Sequence, residues 1–287
     1  MSEHLMSSQH NEIQVLHAIS NDWSMVNAHF HDKYELNLSI SGGNRFFVND
    51  TVHITEPGDL FFLSPEDLHK NLVPQHVTYE RYLIFFTPKS MACFDTCGTD
   101  LFEIFKRPHP EFNNKLSLNQ EQLLEITTLL DDIIYHATCR YANLILYKKI
   151  KVAELLLLIH NIYHNHRNPY PMNPDTISKK VHSIIDYINL HLSSKLTIDH
   201  LAKQFYINKH YLCDIFKKET NFTINQHITN KRIIKSKILL KKGLTVTEVT
   251  AAIGYENDSH FIRTFKKLVG ITPKQYALKH PHTKDNL

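Results

Sequence analysis

Apolar and polar residues change over quickly in the first third of the chain and at helical spacing in the rest. From Tyr34 to Ile40, Leu36, Leu38 and Ile40 fall on one side of an extended chain, with Glu35, Asn37 and Ser39 on the other. The first side is expected to pack on the body of the protein and the second to line a polar cavity. Strands are predicted over 24–31, 34–40, 44–49, 52–55, 60–63 and 79–86. Gly42-Gly43, Asn49-Asp50 and Pro57-Gly58-Asp59 supply turns between several of them. Short strands so evenly spaced argue for a small barrel or sandwich. Residues 1–20 read as a mobile arm. Residues 88–115, with Pro88, Pro108 and Pro110, read as an irregular connection with a short helix near 99–106.

The pattern then lengthens to a helical period. One helix is predicted from Asn119 to His136, with Leu123, Ile126, Leu130 and Ile133/Ile134 as its stripe and a capping box at Ser117 or Asn119. A second runs from Tyr141 to His164 and is apolar almost all round over 154–159, so it needs cover on more than one face. Asn165 to Asp175 carries three prolines among polar residues and reads as a semi-rigid linker. The expected domains are 1–164, a linker over 165–177, and 178–287.

Beyond the linker the chain reads as helical to its end. Ile184, Ile185, Ile188 and Leu192 form the first stripe. A helix capped by Thr197, a turn at Tyr206-Ile207 and a helix from Asn208 to Glu219 make one helix-turn-helix unit, with Leu201, Ala202, Leu212, Ile215 and Phe216 inward. A long helix over 224–241, with Ile228, Ile233, Ile234, Ile238, Leu239 and Leu240 as its apolar residues, joins it to a second unit. There Val246, Val249, Ala252 and Ile253 recur at helical spacing, and Gly254 stops that helix where a left-handed residue is wanted. Asn257 or Asp258 caps the next helix, whose inward stripe is Phe261, Phe265 and Leu268.

Charge sharpens the division. Residues 1–177 hold 13 Lys and Arg against 21 Asp and Glu, a balance of −8, whereas residues 178–287 hold 19 against 8, a balance of +11. The basic part is suited to phosphate and the acidic part is not. The exposed side of the first unit's second helix offers Lys209, His210, Cys213, Asp214, Lys217 and Lys218. That of the second unit offers Ser259, Ile262, Arg263, Lys266 and Lys267.

The chain has no run of 18 apolar residues and its first residues lack the apolar core of a secretion signal, so a cytoplasmic protein away from the membrane is expected. Cys93 and Cys97 are spaced for neither a zinc knuckle nor a redox pair, and with Cys139 and Cys213 they read as free thiols. There is no hydrolytic triad and no dinucleotide fingerprint, and seven glycines leave little material for a phosphate loop. No catalytic residue and no cofactor are expected.

His29-x-His31, Glu35 and Gly42 resemble the first motif of the cupins, and Pro57-Gly58-Asp59 with Pro65 and His69 a degraded second one. In metal-dependent cupins the matching residues hold a metal, and here these are His29, His31, Glu35 and His69. The reading adopted is a metal-free pocket for a small polar effector, formed by His29, His31, Glu35, Asn37 and His69. A metal site and purely structural histidines are the alternatives.

The stretch from Thr245 to Tyr276 resembles, nearly position for position, the end of the DNA-binding domain of AraC/XylS transcription regulators. The matching residues are Gly254, Tyr255, Asn257, Ser259, Phe261, Phe265, Lys266, Lys267, Gly270, Thr272, Pro273 and Tyr276. The resemblance is strong over 180–277 and weaker over 25–70. It departs from the family at Tyr206, where a glycine is common, at Asn221, at Thr250 and at Ala277. It implies an α+β protein of two domains: a cupin-like β-barrel with two long helices, then an all-α domain with two helix-turn-helix units.

The implied function is a homodimeric regulator, paired through the 141–164 helix, that activates transcription with RNA polymerase under a sugar-like effector. Promoter DNA is its double-stranded partner. Base readers by this alignment are His210, Cys213, Asp214, Asp258, Ser259, Ile262 and Arg263. Arg263 is the strongest, because a guanidinium engages guanine O6 and N7 together. Lys209, Lys217, Lys218, Lys266 and Lys267 are matched to phosphates. Two rivals remain: a metal-dependent cupin enzyme fused to a helical interaction module, and an architectural DNA-binding protein without an effector.

Overall fold

The computed structural model describes residues 12–21, 25, 28–29, 31–49, 51–65, 67–94, 100–106, 114–139, 141–165, 179–220 and 222–280. The bulk of the chain up to Asn173 forms one unit, and the chain from Pro174 onward belongs to another. The expected linker, apart from Asn165, and Asn221 lie outside the described residues.

Among the described residues, eight strands lie in the first 117 positions: β1 (Ile13–Asn21), β2 (Tyr34–Ser39), β3 (Arg45–Val48), β4 (Thr51–Ile54), β5 (Asp59–Leu63), β6 (His69–Leu72), β7 (Thr78–Phe86) and β8 (Lys115–Ser117). They form a five-stranded sheet in the order β1-β7-β2-β5-β8 and a three-stranded sheet in the order β4-β3-β6. The register explains how one sheet serves two purposes. Leu36 stands opposite Ile84 and Phe62, and Leu38 opposite Tyr82 and Leu60; Glu35, Asn37 and Ser39 stand opposite Phe85, Leu83 and Arg81. The expected two-faced β2 is therefore present, and both faces are buried.

The apolar face packs on two helices. α1 (Pro88–Met91) follows β7 directly, and after it come α2 (Gln120–Thr138) and α3 (Leu144–Asn165). Ile126, Leu130 and Ile133 of α2 and Val152, Leu155, Leu156 and Ile159 of α3 share one core with Leu36, Leu38, Phe62 and Ile84. The start of α2 is set by Asn119, whose side chain accepts from the Gln122 N–H while Gln122 answers to the Asn119 N–H. Tyr82 OH donates to Asp131 Oδ1 at 2.6 Å, tying β7 to α2.

Three expectations are corrected. The arm predicted over 1–20 is β1 from Ile13 onward, paired with β7 along its whole length. An edge strand buried at few positions gives a weak alternation, so IQVLHAISN carries little periodic signal of its own. The strand predicted over 24–31 is, among the described residues, only an isolated bridge at His29. The connection over 88–115 holds α1, 3-10 turns at Ala92–Phe94 and Glu103–Lys106, and β8. β6 and β8 are additions to the predicted strands, being too short and too polar for a period to register.

α3 is covered on less than its whole circumference. Leu155, Leu156 and Ile159 are buried, but Leu146, Ile150 and Leu157 lie exposed along one side, with Ile145 beside them. Among the described residues no helix is long and apolar enough to cross a membrane.

The second unit comprises α4 (Lys179–Leu190), α5 (Ile198–Gln204), α6 (Lys209–Thr220), α7 (Ile224–Lys241), α8 (Val246–Ala252), α9 (Asp258–Val269) and α10 (Pro273–Lys279). Side-chain oxygens of Thr197, Thr223, Thr245, Asn257 and Thr272 each accept from the N–H three residues on and so mark helix starts. Phe261 and Phe265 of α9 are fully buried, each worth about 1.5–3 kcal/mol of transfer free energy. α7 packs against α6, α8 and α10 and acts as the spine. Its inward side mixes apolar and polar residues: Ile228, Ile233 and Leu240 are buried. Ile238 is exposed, while Asn230, Ser236 and Lys237 are buried. The buried Ser236 hydroxyl is satisfied by donating to Ile233 O at 2.7 Å, and the Lys237 ammonium lies 5.7 Å from the centre of the Tyr276 ring.

Candidate nucleic-acid interface and buried polar pocket

α5 and α6 are joined at Phe205-Tyr206-Ile207, and α8 and α9 at Ile253-Gly254-Tyr255-Glu256. Both turns close in the same way. Ile207 N–H donates to Ala202 O at 3.0 Å, and Tyr255 N–H donates to Thr250 O at 3.2 Å. The residue between is left-handed in both, with φ of 52° at Tyr206 and 78° at Gly254. Gly254 has a second constraint. A Cβ there would lie 2.7 Å from the carbonyl oxygens of both Leu192 and Ser193. Arg232 braces the same spot, with Nε donating to Leu192 O at 3.0 Å and an Nη to Ser194 O at 2.8 Å. Its guanidinium also lies 5.5 Å from the centre of the Tyr255 ring. Burial holds Arg232 below the usual guanidinium range. Arg232 is not among the predicted residues, because a lone arginine in a basic helix carries no local signal of a structural role.

α9 presents what its period promised. With Phe261 and Phe265 inward, Ser259, Arg263, Lys266 and Lys267 are exposed on the far side, and Asp258 and Ile262 are half-buried. Asp258 also ties the two helices together, since its Oδ2 accepts from the Thr247 hydroxyl at 2.7 Å and so links the start of α9 to α8. The Thr250 and Thr247 hydroxyls hold its carboxyl below the usual range.

On α6, Lys209, His210, Asp214, Lys217 and Lys218 are exposed and Cys213 is half-buried. The helix begins at Asn208, whose Oδ1 accepts from His210 N–H at 2.8 Å. Lys209 Nζ pairs with Asp199 Oδ1 at 2.6 Å, an exposed pair of small net worth that a phosphate would compete for. The Lys209–Asp199 pair thus links the start of α6 to α5.

The polar face of β2 looks into the space between the two sheets. Glu35, Asn37 and Ser39 are buried there with His69. Glu35 Oε2 meets His31 Nε2 at 2.8 Å, Asn37 Nδ2 donates to Glu35 Oε1 at 3.3 Å, and Tyr79 OH donates to Asn37 Oδ1 at 3.2 Å. Arg81 lies over the Tyr79 ring at 4.4 Å. Burial pushes the Tyr79 phenol up to about 12, so it is a neutral donor. Burial also draws the Arg81 guanidinium down, with Tyr79 and Glu35 acting against it. Tyr79 and Arg81 are not among the predicted pocket residues. Their signal is the alternation of β7, which puts Tyr79, Arg81, Leu83 and Phe85 on the face that β2 gives to Glu35, Asn37 and Ser39.

The predicted histidines do converge: one ring nitrogen from each of His29, His31 and His69 lies within 4.8 Å of the others. Glu35 joins them through His31. Both nitrogens of His31 already face acceptors, Lys33 O at 2.8 Å and Glu35 Oε2 at 2.8 Å. A metal at the three histidines would have to take His31 from one of them.

Comparison with known proteins agrees with both halves. The profile of an AraC-like ligand binding domain matches residues 11–91, and that of a helix-turn-helix domain matches residues 201–279. The HTH-type transcriptional activator RhaR of Mannheimia succiniciproducens is 24% identical over 251 residues, 86% of each chain. The uncharacterized HTH-type transcriptional regulator YdiP of Escherichia coli is 31% identical over 117 residues, 40% of this chain and 39% of that one. Among solved structures, the C-terminal domain of the response regulator yesN from Fusobacterium nucleatum is 30% identical over 35% of this chain and 99% of its own, with a TM-score of 0.34.

Proposed function

The chain belongs to the AraC/XylS family of DNA-binding transcription regulators, and from that premise we propose that it is a dimeric, non-enzymatic activator. α6 and α9 enter successive major grooves of promoter DNA, about 34 Å apart. Arg263 is the principal base reader, with Ser259 and Ile262 beside it, and His210, Cys213 and Asp214 read from α6. Asp258 serves the α8–α9 link as well as any base. Lys217, Lys218, Lys266 and Lys267 hold phosphates, and Lys209 does so on leaving Asp199. The duplicated turn at Tyr206 and Gly254 carries this reading, since it gives α6 and α9 the same exit from their partner helices.

The effector is a small polyol or sugar held between the sheets. Support comes from the buried chain of Glu35, Asn37 and Tyr79 with His31, His69 and Arg81, which offers alternating donors and acceptors to hydroxyl groups. Two copies pair through the Leu146, Ile150 and Leu157 side of α3 in the cytoplasm. Effector binding shifts the balance between arrangements that differ in DNA affinity and in access to RNA polymerase. The activating direction is supported by the relative named as an activator.

Two measurements test the reading. Sequencing the DNA fragments that the protein occupies in its own cell should return a shared pair of half-sites. A calorimetric screen of monosaccharides and polyols should find one whose binding disappears in Asn37→Leu. Fragments without a common sequence would end the DNA reading, and a ligand that binds Asn37→Leu as well as wild type would end the pocket assignment.

A further inference from the structure

A second cluster of metal-ligating side chains lies outside the space between the sheets, on the C-terminal turns of α3. His160 and His164 stand one turn apart on that helix, and Glu103, from the 3-10 turn Glu103–Lys106, reaches up to both. Glu103 Oε2 is 3.2 Å from His160 Nε2 and 3.3 Å from His164 Nε2, and the two Nε2 atoms are 3.1 Å apart. We propose that Glu103, His160 and His164 form a binding site for a zinc-class divalent cation.

The geometry is that of one face of a coordination tetrahedron. Metal–ligand bonds of about 2.0–2.1 Å place neighbouring ligand atoms about 3.3 Å apart. The three observed edges match that value without any side chain having to move far. The protons present in the metal-free cluster serve it less well. A triangle of one carboxylate oxygen and two imidazole nitrogens holds at most two hydrogen bonds, so one of its three edges, at 3.1–3.3 Å, is left without a proton. A cation takes a lone pair from all three corners.

The ligand set selects the ion. Two imidazoles and a carboxylate suit zinc and its neighbours in the first transition row, and are poor for magnesium or calcium, which prefer oxygen alone. The three ligands leave a fourth position to water. The last turn of a helix also favours positive charge, because its final carbonyls point outward. His160 and Glu103 are partly covered and His164 is half exposed, so the site opens to solvent and an ion has a path in. When filled, it would clasp the 103–106 turn to the end of α3.

The site is tested on the full chain after dialysis against chelator. Cobalt(II) is titrated in as a spectroscopic stand-in, then displaced with zinc(II), with magnesium(II) as the control. One equivalent of cobalt should give the visible absorption of four-coordinate nitrogen and oxygen ligation. Zinc should remove that absorption and magnesium should not. In His164→Gln and in Glu103→Gln the affinity should fall by more than about tenfold. His31→Gln, which alters the separate histidine group, should leave it unchanged. His164 is exposed enough for its variant to fold, and circular dichroism with the thermal midpoint in chelator verifies this. A protein with no saturable cobalt band overturns the proposal. So does a band that survives in His164→Gln, or one that is lost in His31→Gln.

Discussion

Tyr206 and Gly254 occupy the same position in two copies of one turn, and only Gly254 suits it. Both have a left-handed backbone, at φ of 52° and 78°. Tyr206 is 95% exposed, whereas a side chain at 254 would strike the carbonyls of Leu192 and Ser193. A left-handed non-glycine residue carries about 1–2 kcal/mol of strain, and the greater freedom of an unfolded glycine returns about 0.5–1 kcal/mol of that. Tyr206→Gly is expected to stabilise the protein by about 0.5–1 kcal/mol. Gly254→Ala is expected to destabilise it by more than about 2 kcal/mol, because overpacking adds to any backbone change. Chemical denaturation followed by circular dichroism reads both. Equal effects of the same sign would mean that the two turns are not the same device.

Arg263 and the lysines should fail in different ways. Arg263→Ala is expected to cost about 1–3 kcal/mol on the cognate site and to relax preference at one base pair. Lys217→Ala, Lys218→Ala, Lys266→Ala and Lys267→Ala should each weaken cognate and random DNA alike and lower the salt slope by about one. Titrations at several salt concentrations on both DNAs separate the two. Parallel losses for Arg263→Ala would remove it from the readers.

Glu248 gives the second unit a dependence on pH. Its carboxylate accepts from the Thr245 hydroxyl at 2.7 Å and from the Thr245 N–H at 2.8 Å, which holds its pKa below the ordinary value of 4.5. A carboxyl lowered in the folded state stabilises fully above its unfolded pKa and loses that contribution as pH falls through its folded one. Wild type should therefore be more stable than Glu248→Gln at neutral pH, with the gap closing as pH falls below the ordinary value of 4.5. A gap independent of pH down to full denaturation would show that the charge contributes nothing beyond the hydrogen bonds.

The exposed side of α3 should govern assembly. Ile150→Lys and Leu157→Lys replace residues already half in water, so each should change monomer stability by less than about 0.5 kcal/mol. Each should also convert a dimer to a monomer in sedimentation. A wild-type chain that sediments as a monomer at micromolar concentration would remove the pairing proposed for this helix.

The local features were legible where a single residue type had to do a single thing. Gly254 could be read as a left-handed stop and Asn257 as a cap because few other residues do either. The two faces of β2 showed because Leu36 and Leu38 alternate with Glu35 and Asn37 without interruption. What depended on partners far along the chain was not visible. Arg81 enters the polar interior only through the register of β7 on β2, and β1 is a strand only because β7 is beside it. His160 and His164 have a telling spacing, but Glu103 reaches them through the tertiary fold alone. Ile238 is the reverse case: an apolar residue at a helical period that is exposed, while Asn230, Ser236 and Lys237 are buried beside Ile233 and Leu240 on the inner side of α7.

Helix after helix in the basic part begins at a threonine or asparagine that answers to an N–H three residues later. Such beginnings are written in the adjoining stretch of polypeptide and ask nothing of distant segments. A gene fragment encoding them carries its own punctuation, so recombination could splice it behind many unrelated sensors and still deliver a correctly phrased set of rods.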